Sequence, residues 1–199
     1  MDGARILYSI GHSNHPLEVF LNLLKTHDIH TLIDVRSHPY SKYALQFDMK
    51  PLEKAVTQAG VQYVFLGKEL GGRPEGEQFY DADGYVLYSR VAEAPYFLDG
   101  LKQLESYRSQ IRTAVLCSEE DPSHCHRRLL IGRALSSQGI QLHHIRGDGR
   151  LETDQTLTEQ EQTRNGKRQM GMFVQEEAPA WKSFRPAQVA SSEAHVARV

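Results

Sequence analysis

Short apolar runs alternate with amphipathic segments along most of the chain. Within the amphipathic segments apolar residues recur at helical spacing, as Leu17, Phe20 and Leu24 do in the first of them. The apolar runs are rich in β-branched and aliphatic residues, which is typical of buried strands. Five such strands are predicted, over residues 6–10, 31–36, 61–66, 113–116 and 140–145.

The connections between these strands carry the helix signals. The first helix is expected to have Asn14 as its N-cap. Residues 67–84 hold too many glycines and prolines for a regular element and predict a long loop. Strands that alternate with helices predict the α/β class, here a single domain with a mostly parallel, about five-stranded sheet flanked by helices. The remaining helices are expected over 51–60, around 85–92, from Pro95 to Tyr107, and over 127–138.

This alternation stops near residue 150. Residues 152–168 are rich in Thr, Glu and Gln, and the last residues of the chain include almost no large apolar side chain. Such segments bury too little apolar surface to offset the entropy lost on ordering. We therefore expect an α/β domain over residues 1–150 and a weakly ordered C-terminal extension over 151–199, with a docked piece around Met170 to Phe184.

Composition and charge narrow the classes of protein. The chain has 199 residues, of which 40% are hydrophobic, as in an ordinary globular domain. Its 25 acidic and 23 basic residues give a net charge of −2, which excludes a global cationic field for non-specific nucleic-acid binding. Nucleic acid is therefore a partner only through a local site.

The expected compartment is the cytoplasm. The two cysteines, Cys117 and Cys125, form one disulfide at most, and a chain of this length folds without such a crosslink. The first residues lack a basic start followed by a long apolar run, and no apolar stretch approaches the length of a membrane span. We therefore expect no membrane partner.

Residues suited to chemistry collect behind the predicted strands. Open parallel sheets bind ligands outside the carboxyl ends of their strands, so these positions meet at one edge. Both cysteines and seven of the ten histidines fall at this edge or within a turn of it. The seven histidines are His12, His15, His38, His124, His126, His143 and His144. This clustering predicts a functional site.

The turn Gly11-His12-Ser13-Asn14 joins the first strand to the first helix. Free N–H groups and the helix dipole at such a turn favour an anion. The imidazole of His12 adds a donor or a base near neutral pH. A bare turn with an ordinary helix cap is the alternative interpretation.

Two arginines are candidate anion ligands. Asp34 and Arg36 alternate on a strand that should be buried, where an unpaired charge is costly. We expect Asp34 in a structural ion pair, whereas Arg36, nearer the edge, is expected to hold a phosphate or carboxylate. In the long loop, Gly71 and Gly72 allow backbone to approach a ligand while Arg73 supplies charge. An ordinary mobile loop is the alternative there.

The two cysteines have different sequence surroundings. Cys125 is expected at a helix N-terminus beside His126, Arg127 and Arg128, and each of these features favours the thiolate. We therefore predict a depressed pKa and a nucleophilic role for Cys125. Cys117 ends a buried strand, where a second nucleophile and a small apolar core residue both remain open.

A metal site in this region would draw on Cys117, His124, Cys125 and His126. Their spacing lacks the paired Cys-x-x-Cys or His-x-x-x-His arrangement of structural zinc sites. We therefore expect no metal. The glycine spacing matches no nucleotide-binding fingerprint, and no cofactor is expected.

Four ordered blocks of sequence carry a resemblance to a known family. They are Ser9-Ile10-Gly11-His12-Ser13-Asn14, Ile33-Asp34-Val35-Arg36-Ser37-His38-Pro39-Tyr40-Ser41, Leu66-Gly67-Lys68-Glu69-Leu70-Gly71-Gly72-Arg73, and Leu116-Cys117-Ser118-Glu119 through Cys125-His126-Arg127. Together they resemble the domain of unknown function 488 family, over residues 6 to 146. The resemblance implies an α/β fold. It implies no activity, because the family has no settled one.

A second, more distant similarity is to the rhodanese domain, which transfers sulfane sulfur through a persulfide. It rests on Leu32-Ile33-Asp34-Val35-Arg36 and on a cysteine that ends a later strand before a helix. Rhodaneses close a short loop between their cysteine and arginine, whereas here Cys117 and Arg127 stand ten positions apart and Pro122 interrupts. The similarity therefore does not imply sulfur transfer by Cys117, and Cys125 has no rhodanese counterpart.

We expect an enzyme with a basic His/Arg/Cys pocket that acts on a phosphorylated metabolite, a nucleotide or a nucleic-acid end. The alternative is a non-catalytic module that binds an anion or nucleotide without turning it over, and it needs no activated thiol. The catalytic candidates are Cys125, Cys117, His12 and His126. The ligand-binding candidates are Gly11, Ser13, Asn14, Arg36, Ser41, Gly71, Gly72, Arg73, Glu119 and Arg127.

Overall fold

The computed structural model describes residues 5–169 and 181–187, and these contain a six-stranded sheet. The strands are β1 (Ile6–Gly11), β2 (Thr31–Asp34), β3 (Gln62–Phe65), β4 (Thr113–Cys117), β5 (Gln141–Ile145) and β6 (Leu151–Thr153). Across the sheet they lie in the order β3-β2-β4-β1-β5-β6. The first five run parallel, and β6 pairs antiparallel with β5. The expected α/β fold is confirmed, with β6 as an additional edge strand.

Helices fill the connections between the strands. They are α1 (Leu17–Thr26), α2 (Met49–Gln58), α3 (Gly67–Leu70), α4 (Tyr88–Glu93), α5 (Pro95–Arg108), α6 (Arg133–Ser136) and α7 (Asp154–Gln169). Single 3-10 turns lie at Leu45–Phe47, Glu77–Phe79 and Pro122–His124, and a π-helical segment, Arg127–Gly132, leads into α6.

Three helix expectations differ from the structure. Pro16, not Asn14, occupies the N-cap of α1, and no side chain caps that helix. The helix expected around 85–92 begins only at Tyr88. The loop expected over 67–84 contains α3 because Leu70, which is fully buried, anchors that short turn in the core.

The core consists of one apolar layer on each face of the sheet. Successive strand residues point to opposite faces, so Val115 packs in one layer with Phe97 while Leu116 packs in the other with Phe20 and Phe47. Both faces are therefore covered, which explains why the strands are continuous apolar runs in the sequence.

Residues 151–169 were expected to be weakly ordered, but they form β6 and α7. The contacts of α7 are mostly polar: Arg128 forms ion pairs with Asp154 and Glu161 and donates to the Thr158 hydroxyl. Leu157, which is 4% exposed, is a buried apolar side chain of α7. A helix held mainly through a buried arginine leaves no apolar stripe in its own sequence, so the pattern did not reveal it.

The segment 181–187 packs against the domain. Trp181 donates from Nε1 to the Leu129 carbonyl at 2.6 Å, and the guanidinium of Arg133 lies 4.5 Å from its ring centre. The backbone N–H of Ser183 donates to the Val86 carbonyl at 2.8 Å. The end of the docked piece expected around Met170 to Phe184 is therefore attached. Residues 170–180 and 188–199 lie outside the described residues.

Candidate functional site

A pocket of about 590 Å³ opens beyond the carboxyl ends of β2 and β4. Residues that follow these two strands form its sides, and residues from the glycine-rich loop and from the segment 181–187 complete it. The lining residues are Arg36, Ser37, His38, Tyr40, Gly72, Arg73, Val86, Tyr88, Cys117, Ser118, Glu119, His124, His126, Ser183, Phe184, Arg185, Pro186 and Ala187.

The imidazole of His126 links the two cysteines to the sheet. Its Nε2 lies 3.0 Å from the Val35 carbonyl, which can only accept, so Nε2 carries a hydrogen and Nδ1 faces the sulfurs. Nδ1 lies 3.7 Å from the Sγ of Cys117 and 3.9 Å from the Sγ of Cys125. This geometry allows Nδ1 to hold the proton released by a thiol.

Arg127 lies behind the two thiols and is fully buried. Its guanidinium donates to the backbone carbonyls of Glu119 and Glu120 and lies 3.5 Å from the Sγ of Cys125. Within residues 5–169 and 181–187, no carboxylate lies at salt-bridge distance from it. A buried cation in this position favours negative charge on a nearby sulfur.

The pKa values of the two thiols are shifted in opposite directions. The pKa of Cys117 is lowered well below its usual range, first by a hydrogen bond from the Cys125 thiol and then by the charges of His126 and Arg127. The pKa of Cys125 is raised well above its usual range by burial and by the charge of Cys117. The structure therefore does not favour the expected depressed pKa of Cys125, because Cys125 is 1% exposed and sits beside a second thiol that ionises first.

Two neighbouring acid–base groups respond to the Cys117 thiolate. Burial opposes the charged form of His126, but the charge of Cys117 outweighs it and raises the imidazole pKa. Burial, followed by the charge of Cys117, raises the pKa of the Glu119 carboxyl. Both groups line the pocket, so the two raised pKa values belong to groups beside the Cys117 sulfur.

Arg36 does not stand free at the strand end. It forms a bidentate ion pair with the fully buried Asp34, in which Nη2 of Arg36 lies 2.6 Å from Oδ2 of Asp34. The Tyr63 hydroxyl donates to the same carboxylate oxygen at 2.7 Å. Asp34 is therefore in an ion pair, as expected. Its partner is Arg36, the arginine that was expected to hold a phosphate or carboxylate. The remaining guanidinium nitrogen of Arg36, Nη1, donates to Nε2 of His12 at 3.1 Å. Arg36 also lines the pocket.

His12 lies behind this wall and outside the lining residues. It is 3% exposed, stacks on Phe47 with ring centres 4.4 Å apart, and donates from Nδ1 to the Ser13 carbonyl. Burial, opposed by that hydrogen bond, lowers its pKa. The neutral ring therefore positions Arg36 and does not line the pocket.

The turn at Gly11 has no N–H group free for an anion at its start. The N–H of His12 donates to the Cys117 carbonyl, and that of Ser13 to the Ser118 carbonyl. Gly11 is needed because a Cβ there would collide with the backbone oxygen of Glu119. Asn14 is exposed and outside the pocket lining. The anion expected at this turn is therefore not supported: the turn supports the loop that carries the cysteines.

A family model described as Domain of unknown function DUF488 matches residues 16–134, more than half of the chain. The chain belongs to this family. The matched range includes Asp34, Arg36 and both cysteines, whereas β1 and β5 lie outside it. No curated protein and no solved structure gives a match. The similarity to rhodaneses finds no support in these comparisons.

The glycine-rich loop of the DUF488 domain contributes Gly72 and Arg73 to the pocket. A Cβ on Gly72 would lie 2.7 Å from Cγ of His126, so glycine is required for this close approach. The N–H of Arg73 donates to Ser37 Oγ at 2.9 Å, and the exposed side chain of Arg73 is among the residues that line the pocket. Gly71 is buried outside the lining residues.

Ser41 is also outside the pocket lining of the DUF488 domain. Its Oγ accepts hydrogen bonds from the N–H groups of Tyr43 and Ala44, so it caps the turn that follows β2. A ligand role for Ser41 and Gly71 therefore stays a prediction that the pocket geometry does not favour.

The sequence did not reveal the wall formed by residues 183–187. Phe184 stacks on His124 with ring centres 3.6 Å apart, and Arg185 lies at the same rim. These contacts join positions about sixty residues apart in the DUF488 chain. A local sequence pattern cannot predict contacts over such a separation. Tyr88, 3% exposed, was likewise missed, because a buried aromatic on a helix resembles an ordinary core residue.

Three potential metal ligands of the DUF488 domain lie together. The ligand atoms of Cys117, Cys125 and His126 all lie within 4.8 Å of one another. His124, the fourth residue considered, instead stacks on Phe184. The buried guanidinium of Arg127, 3.5 Å from the Sγ of Cys125, opposes a cation at this position. The donor set is compact enough for a soft metal, but its charge environment fits a thiolate better.

No helix in the described part of the chain has both the length and the apolar character needed to cross a bilayer.

Proposed function

We propose that this DUF488 protein is a thiol-dependent enzyme that acts on a substrate with a phosphate or similar anionic group. Cys117 is the nucleophile in this proposal, and Cys125 is not. The observation that carries it is the position of the Cys117 sulfur: it lines the pocket and lies 3.7 Å from Nδ1 of His126. The buried cation Arg127 contacts the neighbouring sulfur of Cys125 at 3.5 Å, and its charge also lowers the Cys117 pKa.

The charge of the pocket supports an anionic substrate. Arg73 and Arg185 are exposed at its rim, and neither has a carboxylate at salt-bridge distance within the part of the chain that the structure describes. Arginine binds phosphate through its planar fork. The pocket, at about 590 Å³, is within the usual range for a small-molecule site and holds a group the size of a nucleotide.

The proposed chemistry is covalent catalysis. The Cys117 thiolate uses its electron pair to form a bond from Sγ to the electrophilic atom of the substrate, and the bond to the leaving group breaks with its pair on that group. The leaving group takes a proton from His126, whose imidazole pKa is raised by the charge of Cys117. Glu119, whose carboxyl pKa is also raised, lines the same pocket. Water or a second acceptor then displaces the sulfur and restores the thiolate.

The experiment is a search for the covalent intermediate. The full-length protein is mixed with separate pools of sugar phosphates, nucleotides and 5′-phosphorylated oligonucleotides. Each reaction is quenched in acid, and the intact mass of the protein is measured by mass spectrometry. We expect one pool to give an adduct that maps to Cys117 and is absent in Cys117→Ser. In parallel, members of that pool should slow alkylation of Cys117 by iodoacetamide.

The outcomes separate an enzyme from a binding module. Protection of Cys117 by a ligand without any adduct or product favours the non-catalytic module. Alkylation of Cys117 at the rate of an ordinary exposed thiol, with no protection by any pool, contradicts the proposal.

A further inference from the structure

We infer that Cys117 and Cys125 are an oxidation site, at which a hydroperoxide that enters the pocket converts the two thiols into a reversible disulfide. The chemical step depends only on the geometry of the two thiols. Its meaning as a switch, in which oxidation turns the site off, rests on the proposed function.

The two sulfurs are close but not bonded. Both cysteines are free thiols, and their Sγ atoms lie within 4.8 Å of each other. A disulfide has an S–S distance of about 2.05 Å, so bonding requires the sulfurs to approach by no more than about 3 Å. Cys117 and Cys125 bracket the loop 118–124, so a disulfide would close a short ring that the fold already holds together.

The two thiols have unequal access to an oxidant. Cys117 lines the pocket, whereas Cys125 is 1% exposed and is not among the lining residues. A small polar oxidant therefore meets Cys117 first. Cys125 is placed behind it as the resolving thiol, the arrangement expected of cysteines that are oxidised reversibly.

The reaction balances in two steps. The Cys117 thiolate attacks one oxygen of the hydroperoxide, the O–O bond breaks, and the sulfur becomes a sulfenic acid. The departing oxygen takes the proton that Nδ1 of His126 received from the thiol and leaves as an alcohol or water. The Cys125 sulfur then attacks the Cys117 sulfur, the S–O bond breaks, and water leaves with the Cys125 proton. Two thiols are oxidised by two electrons and the peroxide is reduced by two.

The surroundings of Cys125 assist the second step. The Arg127 guanidinium lies 3.5 Å from its Sγ, and Nδ1 of His126 lies 3.9 Å from the same atom. The arginine stabilises negative charge on the attacking sulfur, and the imidazole is within reach of its proton. A disulfide also prevents Cys117 from advancing to the irreversible sulfinic acid.

The experiment treats the reduced full-length protein with hydrogen peroxide at a small molar excess. We expect the intact mass to fall by two hydrogens, both cysteines to escape iodoacetamide, and dithiothreitol to restore them. Peptide mapping without reduction should show the peptides of Cys117 and Cys125 joined within one molecule, independently of protein concentration.

Two variants test the assigned roles. Cys125→Ser should accumulate a Cys117 sulfenic acid that dimedone traps, and continued exposure should oxidise it irreversibly. Cys117→Ser should leave Cys125 reduced at the same dose. Wild-type protein that gives dimedone adducts as abundantly as Cys125→Ser, with no joined peptides, overturns the inference.

These results are independent of the covalent intermediate sought with substrate. If the disulfide forms but no substrate adduct is found, the oxidation site is supported and only the enzyme proposal is contradicted. A substrate adduct on Cys117 in protein that never forms the disulfide removes only the oxidation site.

Discussion

Nδ1 of His126 lies 3.7 Å from Sγ of Cys117, while its Nε2 is held by the carbonyl of Val35 at 3.0 Å. The hydrogen bond to Val35 thus sets the orientation of the imidazole, and this orientation places Nδ1 where it can take the proton of the Cys117 thiol. Because Val35 directly follows β2 and Cys117 ends β4, two adjacent parallel strands supply the support and the nucleophile.

Replacement of His126 should weaken this activation. In His126→Asn the positive charge beside the sulfur is lost, so the Cys117 pKa should rise. The midpoint of iodoacetamide labelling against pH should rise with it, and labelling at pH values below the new midpoint should slow. The control is His124→Asn, which alters a lining residue that contacts Phe184 instead of a sulfur. Equal labelling rates in His126→Asn and wild type would remove His126 from the mechanism.

Removal of one of the two arginines at the pocket rim should weaken ligand binding without changing the reactivity of the Cys117 thiol. Arg73→Ala should reduce protection of Cys117 by phosphorylated compounds about tenfold, since a hydrogen-bonded charge contributes about 1.5–3 kcal/mol. Its labelling rate without ligand should match wild type. Arg150→Ala is the matched control, because that exposed arginine pairs with Asp148 away from the pocket. The same loss in both variants would indicate a general charge effect.

The ion pair beneath the site should be a major contributor to stability. Asp34→Asn leaves the buried Arg36 without its carboxylate and should lower the free energy of unfolding by about 3 kcal/mol. Urea denaturation measures this change. Glu53→Gln, which breaks the exposed pair with Lys50, should cost less than about 0.5 kcal/mol. A similar small effect in Asp34→Asn would show that the buried pair is not needed.

Attachment of α7 should depend on pH. Burial opposes the charged form of Asp154, but the nearby imidazole of His144, 3.9 Å away, and the hydrogen bond from Arg128 outweigh it and lower the Asp154 pKa. A lowered pKa in the folded state gives stability that is present above the unfolded value of about 3.9 and is lost as pH falls through the folded value.

We therefore expect Asp154→Asn to be less stable than wild type at neutral pH, and the difference to shrink below about pH 4. Hydrogen exchange of α7 should quicken in the variant. A difference that stays constant across this pH range would contradict a role for the Asp154 charge.

Much of the fold could be predicted from the sequence, because buried parallel strands leave continuous apolar runs. Two parts could not. The helix α7 is held by the buried Arg128, which lies outside it, and the pocket wall at Phe184 is held by contacts that span much of the chain. Neither arrangement produces a local pattern.

The sequence predicted which residues gather near the pocket better than it predicted which thiol is activated. The clustering of His, Arg and Cys behind the strands correctly brought Cys117, Cys125 and His126 together. The sequence favoured Cys125 because basic neighbours surround it. Which thiol ionises depends instead on burial and on the second sulfur, and these quantities are set only by the folded chain.

The most direct test of the account is the alkylation rate as a function of pH in the two single-cysteine variants. Cys125→Ser retains Cys117, and its labelling by iodoacetamide should titrate with a midpoint below the ordinary thiol value of about 8.5. Cys117→Ser retains Cys125, which should label slowly and titrate at or above that value. A midpoint at or above about 8.5 for Cys117, or a lower midpoint for Cys125, would contradict the assignment of Cys117 as the activated nucleophile.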